Sequence, residues 1–267
     1  MRMDFTIKEH YDIEDLLQIM RILRGKDGCP WDREQTHDSI RKNMIEETYE
    51  VVEAIDQKNS TMLCEELGDV LLQVVFHAQM EEEQNVFNFS DVCDGICHKL
   101  ILRHPHIFGD VVAKTSEQVL NNRDEIKKKE KGQNSASDTL RSVPAVLPAL
   151  MRADKVQHRA AKTGFDYPDV EGALDDLKSE VVELAETIQN QSVESQQEEL
   201  GDVLFSAVNV ARKLHIDPEE MLTRSTEKFM ARFESVERIA AQRGMDMSAS
   251  SLEELNSLWA QAKISTK

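Results

Sequence analysis

The heptapeptide EELGDVL stands twice in this chain, at 65–71 and at 198–204. Around it, EETYEVVEAIDQKNSTMLCEELGDVLLQVVFHA (46–78) lies without a gap over SEVVELAETIQNQSVESQQEELGDVLFSAVNVA (179–211), at a constant offset of 133 residues. A seven-residue identity at a matched place in two long segments marks a duplicated structural unit. Outside this stretch the repeat loosens. Lys99 and Arg103 in HKLILRH resemble Lys228 and Arg232 in EKFMARF at an offset of 129, and Trp31–Asp32 resembles Phe165–Asp166 at 134.

The unit is helical. Apolar residues recur at three- and four-residue steps over 13–24, 40–57, 62–84 and 90–103, then over 144–161, 171–190, 195–214, 218–243 and 251–264. No β-branched alternation bounded by turn residues predicts a strand. The segment KKKEKGQNSASD (127–138) is charged, small and nearly free of apolar residues, so it reads as an exposed linker. The expectation is an all-α chain of two tandem four-helix-type units, 1–125 and 143–267, joined by a linker over 126–142. With 267 residues, each unit is long enough to bury its own core.

Composition narrows the function. A net charge of −18 argues against a nucleic-acid polymer as partner. Small anions remain possible ligands, but an acidic protein needs a divalent cation between its carboxylates and a polyphosphate. No run of about 18 apolar residues exists to span a membrane, and the N-terminal stretch MRMDFTIKEHYDIEDLL lacks an apolar signal region. Cys29, Cys64, Cys93 and Cys97 match no zinc or redox spacing and read as reduced, mostly buried thiols of a cytoplasmic protein.

The chemistry lies in the acids. Residues three apart share a helix face, so Glu47 and Glu50 point together, as do Glu66 and Asp69 on the next helix. Turning the chain back near Gln57–Ser60 makes the four carboxylates converge. Glu180, Glu183, Glu199 and Asp202 repeat the pattern, with the same fifteen residues between the pairs. Four such groups in a partly buried site cannot all stay ionised without a cation. Mg²⁺, hard and oxygen-preferring, answers that demand, with Mn²⁺ as a substitute. Gly68 and Gly201, at one place in both copies, suggest close approach of another helix or a ligand.

EExxE followed by ExxD resembles the signature of the all-α nucleoside triphosphate pyrophosphohydrolases. The segments 28–55, 103–110 (RHPHIFGD), 162–170 (KTGFDYPDV) and 209–237 look like the MazG family within that group. The resemblance implies Mg²⁺-dependent hydrolysis of nucleoside triphosphates, ATP included, to a monophosphate and pyrophosphate, serving control or cleaning of the nucleotide pool. It implies metal ligands at Glu180, Glu183, Glu199 and Asp202, with Glu180 and Asp202 also facing substrate. Phosphate-binding and catalytic roles fall on Lys228 and Arg232, and late substrate contacts on Trp259 and Lys263 in LWAQAK. Glu183 is the candidate to orient or deprotonate water, and Asn209 a polar support for the site. A homodimer is implied as well, since the family pairs such units between chains.

Two positions depart from the family pattern: Ser179 replaces the first Glu of EExxE in the second unit, and Ser195 a substrate-contacting Lys. The first unit keeps Glu46, Glu47, Glu50, Glu66 and Asp69 but has Phe76 where the second has Asn209. The second unit is favoured as the main site because its downstream half is complete, and the first (Glu47, Glu50, Glu66, Asp69) is the secondary candidate. His98, His104 and His106 read as structural or substrate-edge residues. Two other classes stay open at this point, a non-catalytic helical scaffold and a di-iron bundle, although Glu34–His37 is a lone ExxH where the latter needs two.

Overall fold

The computed structural model describes residues 5–190 and 192–265. Met1–Asp4 of the N-terminal stretch, Gln191, Thr266 and Lys267 lie outside the described residues. Thirteen α-helices and one short 3₁₀ turn make up the described chain, with no strand among the described residues. The chain divides into two compact units, Met1–Lys127 and Lys128–Lys267.

The first unit holds α1 (Ile13–Arg24), α2 (Pro30–Glu34), α3 (His37–Asp56), α4 (Ser60–Glu83), α5 (Phe89–Arg103), α6 (Pro105–Phe108) and most of α7 (Ser116–Glu130). Side-chain caps start the long helices. Asp12 accepts from the backbone of Glu14 and Asp15, Thr36 from Ser39, and Asn88 from Ser90 and Asp91. Between α3 and α4, Lys58 takes a left-handed φ of 53° and Asn59 caps α4, which folds the two helices into a tight hairpin. Met20, Ile40, Val75, Phe76 and Met80 form the core, with Leu16, Leu17, Leu72 and Phe89 packed against it. Arg24 ties α1 to α4 through a two-point bond to Glu83 (2.7 and 2.8 Å) and lies over the Phe76 ring, 5.2 Å from its centroid.

The second unit holds α8 (Ala136–Arg141), α9 (Ala149–Ala161), α10 (Val170–Asn190), α11 (Val193–Lys213), α12 (Pro218–Gln242) and α13 (Leu252–Ser265). As α3 pairs with α4, α10 pairs with α11, and α9 packs on α11 as α1 does on α4. A second core joins α12 to α13 through Val236, Ala240, Leu258 and Ala262.

Two expectations differ from the structure. Residues 126–142 are largely helical rather than an open linker: α7 runs to Glu130, and α8, capped by Ser135 and Asp138, packs on α9. Arg159 of α9 holds α8 by donating to the Thr139 carbonyl and to Ser142 Oγ, so the second unit starts before residue 143. The cysteines are free, but Cys64, Cys93 and Cys97 are exposed and Cys29 half-buried, because α5 and the outer face of α4 have no covering layer within the unit.

Candidate active site

Each hairpin brings three carboxylates together. In the second unit α10 supplies Glu180 and α11 supplies Glu199 and Asp202, with one oxygen from each within 4.8 Å of the others. In the first unit α3 and α4 supply Glu47, Glu66 and Asp69 in the same way. The electrostatics agree with the crowding. Partial burial, then the charges of Glu183, Asp176, Asp202 and Glu199, push the Glu180 carboxyl above the ordinary range. Glu199 is raised by partial burial and by Glu183 and Asp202. Glu47 and Glu66 are raised likewise, by partial burial first and then by their neighbours, including hydrogen bonds with Glu50. A raised carboxyl amid other carboxyls is a site short of positive charge, and its hard oxygen donors fit a divalent cation.

Glu183 and Glu50 fall outside these sets of three. Ser179 Oγ donates to Glu183 Oε1 at 3.0 Å, so the residue that departs from the EExxE pattern holds the fourth carboxylate of its own helix. Its counterpart Glu46 pairs instead with Lys42 (2.8 Å). Gly68 and Gly201 do not mark close packing within either unit: an added Cβ would meet nothing within 4 Å.

One turn along, the second unit changes character. Ser206 Oγ donates to Asp176 Oδ2 at 2.7 Å, and the Tyr167 hydroxyl, held first by Asp176 and then by burial, is pushed up to about 12. Asn209 Oδ1 accepts from Arg212 Nε (3.0 Å) and Nη2 (2.7 Å). Arg212 is 8% exposed and also pairs with Asp166, which Lys213 joins at 3.2 Å. These bonds, Arg212's foremost, hold the Asp166 carboxyl down at about 2 against the opposing effect of burial. Between α9, α10, α11 and the 164–167 loop lies a cavity of about 360 Å³. Gln157, Arg212, Asp176 and Ser206 were not singled out by sequence; Asn209 and the match of Phe165–Asp166 to Trp31–Asp32 were the signals that pointed there.

The remaining sequence candidates sit elsewhere in the unit. Lys228 is exposed on α12, while Arg232 is half-buried with its Nε lacking a partner. Trp259 packs against Phe229, ring centroids 5.2 Å apart, beside the α12–α13 core, and Lys263 is exposed near the end of α13. Among the described residues none of the four pairs with a cluster carboxylate. His98 and His104 bond to backbone carbonyls of their own helix, Asp94 and Leu100, and belong to neither cluster.

Comparison with known proteins follows the duplication. The MazG nucleotide pyrophosphohydrolase domain matches residues 35–108 and 169–237, one copy on each carboxylate hairpin. The chain is 43% identical over 250 residues to a nucleoside triphosphate pyrophosphohydrolase/pyrophosphatase MazG of Thermotoga maritima, covering 94% of this chain and 95% of that one. It is 43% identical over 254 residues to a nucleoside triphosphate pyrophosphohydrolase of Escherichia coli, covering 94% and 97%. An uncharacterised protein, YabN of Bacillus subtilis, is 44% identical over 255 residues, which is 95% of this chain and 52% of that one. With two domain matches on the two hairpins and near full-length relatives, this chain belongs to the MazG nucleotide pyrophosphohydrolase family.

Proposed function

We propose that the chain hydrolyses nucleoside triphosphates to a monophosphate and pyrophosphate, with Mg²⁺ (or Mn²⁺) held by Glu180, Glu199 and Asp202. The observation that carries this reading is the carboxylate trio with its raised carboxyls, on a hairpin that matches the family. When bound, the cation supplies positive charge for the triphosphate and lowers the pKa of a water.

The chain's own groups do the rest. Glu183, oriented by Ser179 and outside the trio, takes a proton from the attacking water. The water oxygen bonds to the α-phosphorus, and the bond from that phosphorus to the bridging oxygen breaks, its electron pair leaving on pyrophosphate. Lys228 and Arg232 balance the charge of the departing pyrophosphate, and the unpartnered Nε of Arg232 suits an anion. Trp259 and Lys263 are proposed to close over the substrate end. A second copy of the chain is the proposed cover for the apolar surface each unit leaves open, such as Val181, Val182, Leu200 and Leu204, and light scattering at micromolar concentration should give the mass of a dimer. No helix among the described residues is long and apolar enough to cross a membrane, in keeping with a proposed cytoplasmic place.

The test is a nucleotide panel with Mg²⁺ in which both phosphate products are measured. Pyrophosphate and monophosphate in equal amounts, abolished by excess EDTA, is the expected outcome. Orthophosphate as the product, or full activity in EDTA, would contradict the proposal.

A further inference from the structure

The first unit carries a chain of three titratable side chains that its duplicate lacks. His37, the first residue of α3, has its Nδ1 2.7 Å from Nδ1 of His77 on α4. Its Nε2 lies 2.7 Å from Oε1 of Glu81, one turn further along α4. The two ring planes are within 4° of each other, and the centroids are 5.0 Å apart. The centroids are farther apart than the facing nitrogens by about two ring radii, so the rings meet edge to edge in one plane, as hydrogen-bonded imidazoles do. At the positions 133 residues on, the second unit has Val170, Val210 and Leu214, which cannot titrate.

Counting protons fixes what this chain of groups tolerates. A carboxylate only accepts, so His37 Nε2 carries a hydrogen. With both rings neutral, His37 Nδ1 is bare and His77 Nδ1–H donates to it. One added proton is tolerated: it sits on His37 Nδ1, and His77 takes the Nε2–H tautomer and accepts. A second is not, because it sets two N–H donors head to head at 2.7 Å. Burial, and then the charge of His37, accordingly hold His77 below the ordinary 6.5. The other charged groups near this end of α4 are occupied or solvated. Arg21 and Arg24 of α1 are engaged by Glu82 and Glu83, Asp91 of α5 accepts from the Asn88 backbone, and Asp94 pairs with His98. Asp38 and Arg41 of α3 are exposed.

We propose that His37, His77 and Glu81 form a proton-operated latch between the start of α3 and α4, closed until both imidazoles are charged. His77 binds its proton more weakly when latched than when released, so opening grows as pH falls below 6.5. What opens is the first turn of α3. Ile40, 2% exposed, still anchors the helix to the core, so the hairpin loosens at one end and does not unfold.

Two measurements on the full chain in EDTA test it. Long-range proton–nitrogen NMR of ¹⁵N-histidine-labelled protein at about pH 8 should show His77 as the Nδ1–H tautomer and His37 as Nε2–H. His77 found as Nε2–H at that pH overturns the latch. The second is hydrogen exchange read by mass spectrometry, corrected for the intrinsic rate. Between about pH 7.5 and pH 5 the segment 37–45 should lose protection about threefold or more, while 170–178 holds its own. His77→Gln, whose amide can donate to or accept from His37 in either form, should keep the protection and abolish its pH dependence. Protection of 37–45 that ignores pH, or that falls equally in 170–178 or in the variant, overturns the proposal. The comparison of the two segments in the natural chain stands even where the variant fails to fold.

Discussion

The two units place the same three carboxylates on the same pair of helices, yet differ one and two turns away. Where the first has Ile40 and Phe76, 2% and 4% exposed, the second has Ala173 and Asn209 at the positions 133 residues on. Val75 and its counterpart Val208 are buried in both, so the register is shared and the difference is one of side-chain size and polarity. In the first unit that space is core: burying Phe76 alone contributes about 2–3 kcal/mol. In the second, a cavity and a charged network of Asp166, Arg212 and Asn209 stand where apolar packing would be. The comparison teaches that a copied carboxylate geometry need not imply copied surroundings. Retaining three acids needs only two helices in register, whereas a cavity needs stabilising volume to be left empty.

The largest expected effect separates the two acid clusters. Replacing Glu199 and Asp202 by Gln and Asn should lower pyrophosphate release more than about a hundredfold, since two anionic ligands are lost while shape is kept. The same change at Glu66 and Asp69 should leave a substantial part of the activity. A dead Glu66/Asp69 variant beside an active Glu199/Asp202 variant would reverse the assignment.

Exchanging the pocket residues sharpens the comparison further. Asn209→Phe copies Phe76 into the second unit and should lower kcat/KM for nucleotides about tenfold or more by filling the cavity. Phe76→Asn should act on stability instead, costing the first unit about 3–5 kcal/mol in a denaturant titration. Unchanged turnover in Asn209→Phe would mean that the cavity does not serve the substrate.

A smaller effect tests the charged network that stands in for packing. The Asp166 carboxyl is held at about 2, below its ordinary 3.8, so its contribution to stability is present above the ordinary value and fades as pH falls toward 2. Asp166→Asn should therefore cost about 1–3 kcal/mol at pH 7, with the gap between variant and natural chain closing as pH drops below 4. A gap independent of pH would remove the ion pair from the account.

Much of this was legible in the sequence. The 3.6-residue periodicity over 13–24 and 218–243 matches α1 (Ile13–Arg24) and α12 (Pro218–Gln242), because an amphipathic stripe is local information. The acids were legible for the same reason: Glu199 and Asp202 are one turn apart. Helix α7 was not, since SEQVLNNRDEIKKKE has strong helix formers but no continuous apolar stripe, and α8 hid in a segment read as linker. The cavity was beyond reach for a different reason. Gln157 meets Phe205, and Asp166 meets Arg212, across separations of 48 and 46 residues, which no local pattern encodes. Phe76 and Asn209 were noticed as a difference between the repeats, but that one is core and the other cavity wall is a fact of packing.

That the two units share a carboxylate trio while only the second turns over a nucleotide is tested most directly by binding stoichiometry. Mn²⁺ and α,β-methylene-ATP titrated separately into the full chain should give cation bound at both carboxylate trios. The nucleotide should bind at one site per chain, and that site should vanish in the Glu199→Gln/Asp202→Asn variant and survive in Glu66→Gln/Asp69→Asn. Two equal nucleotide sites per chain, each lost with its own trio, would contradict the account.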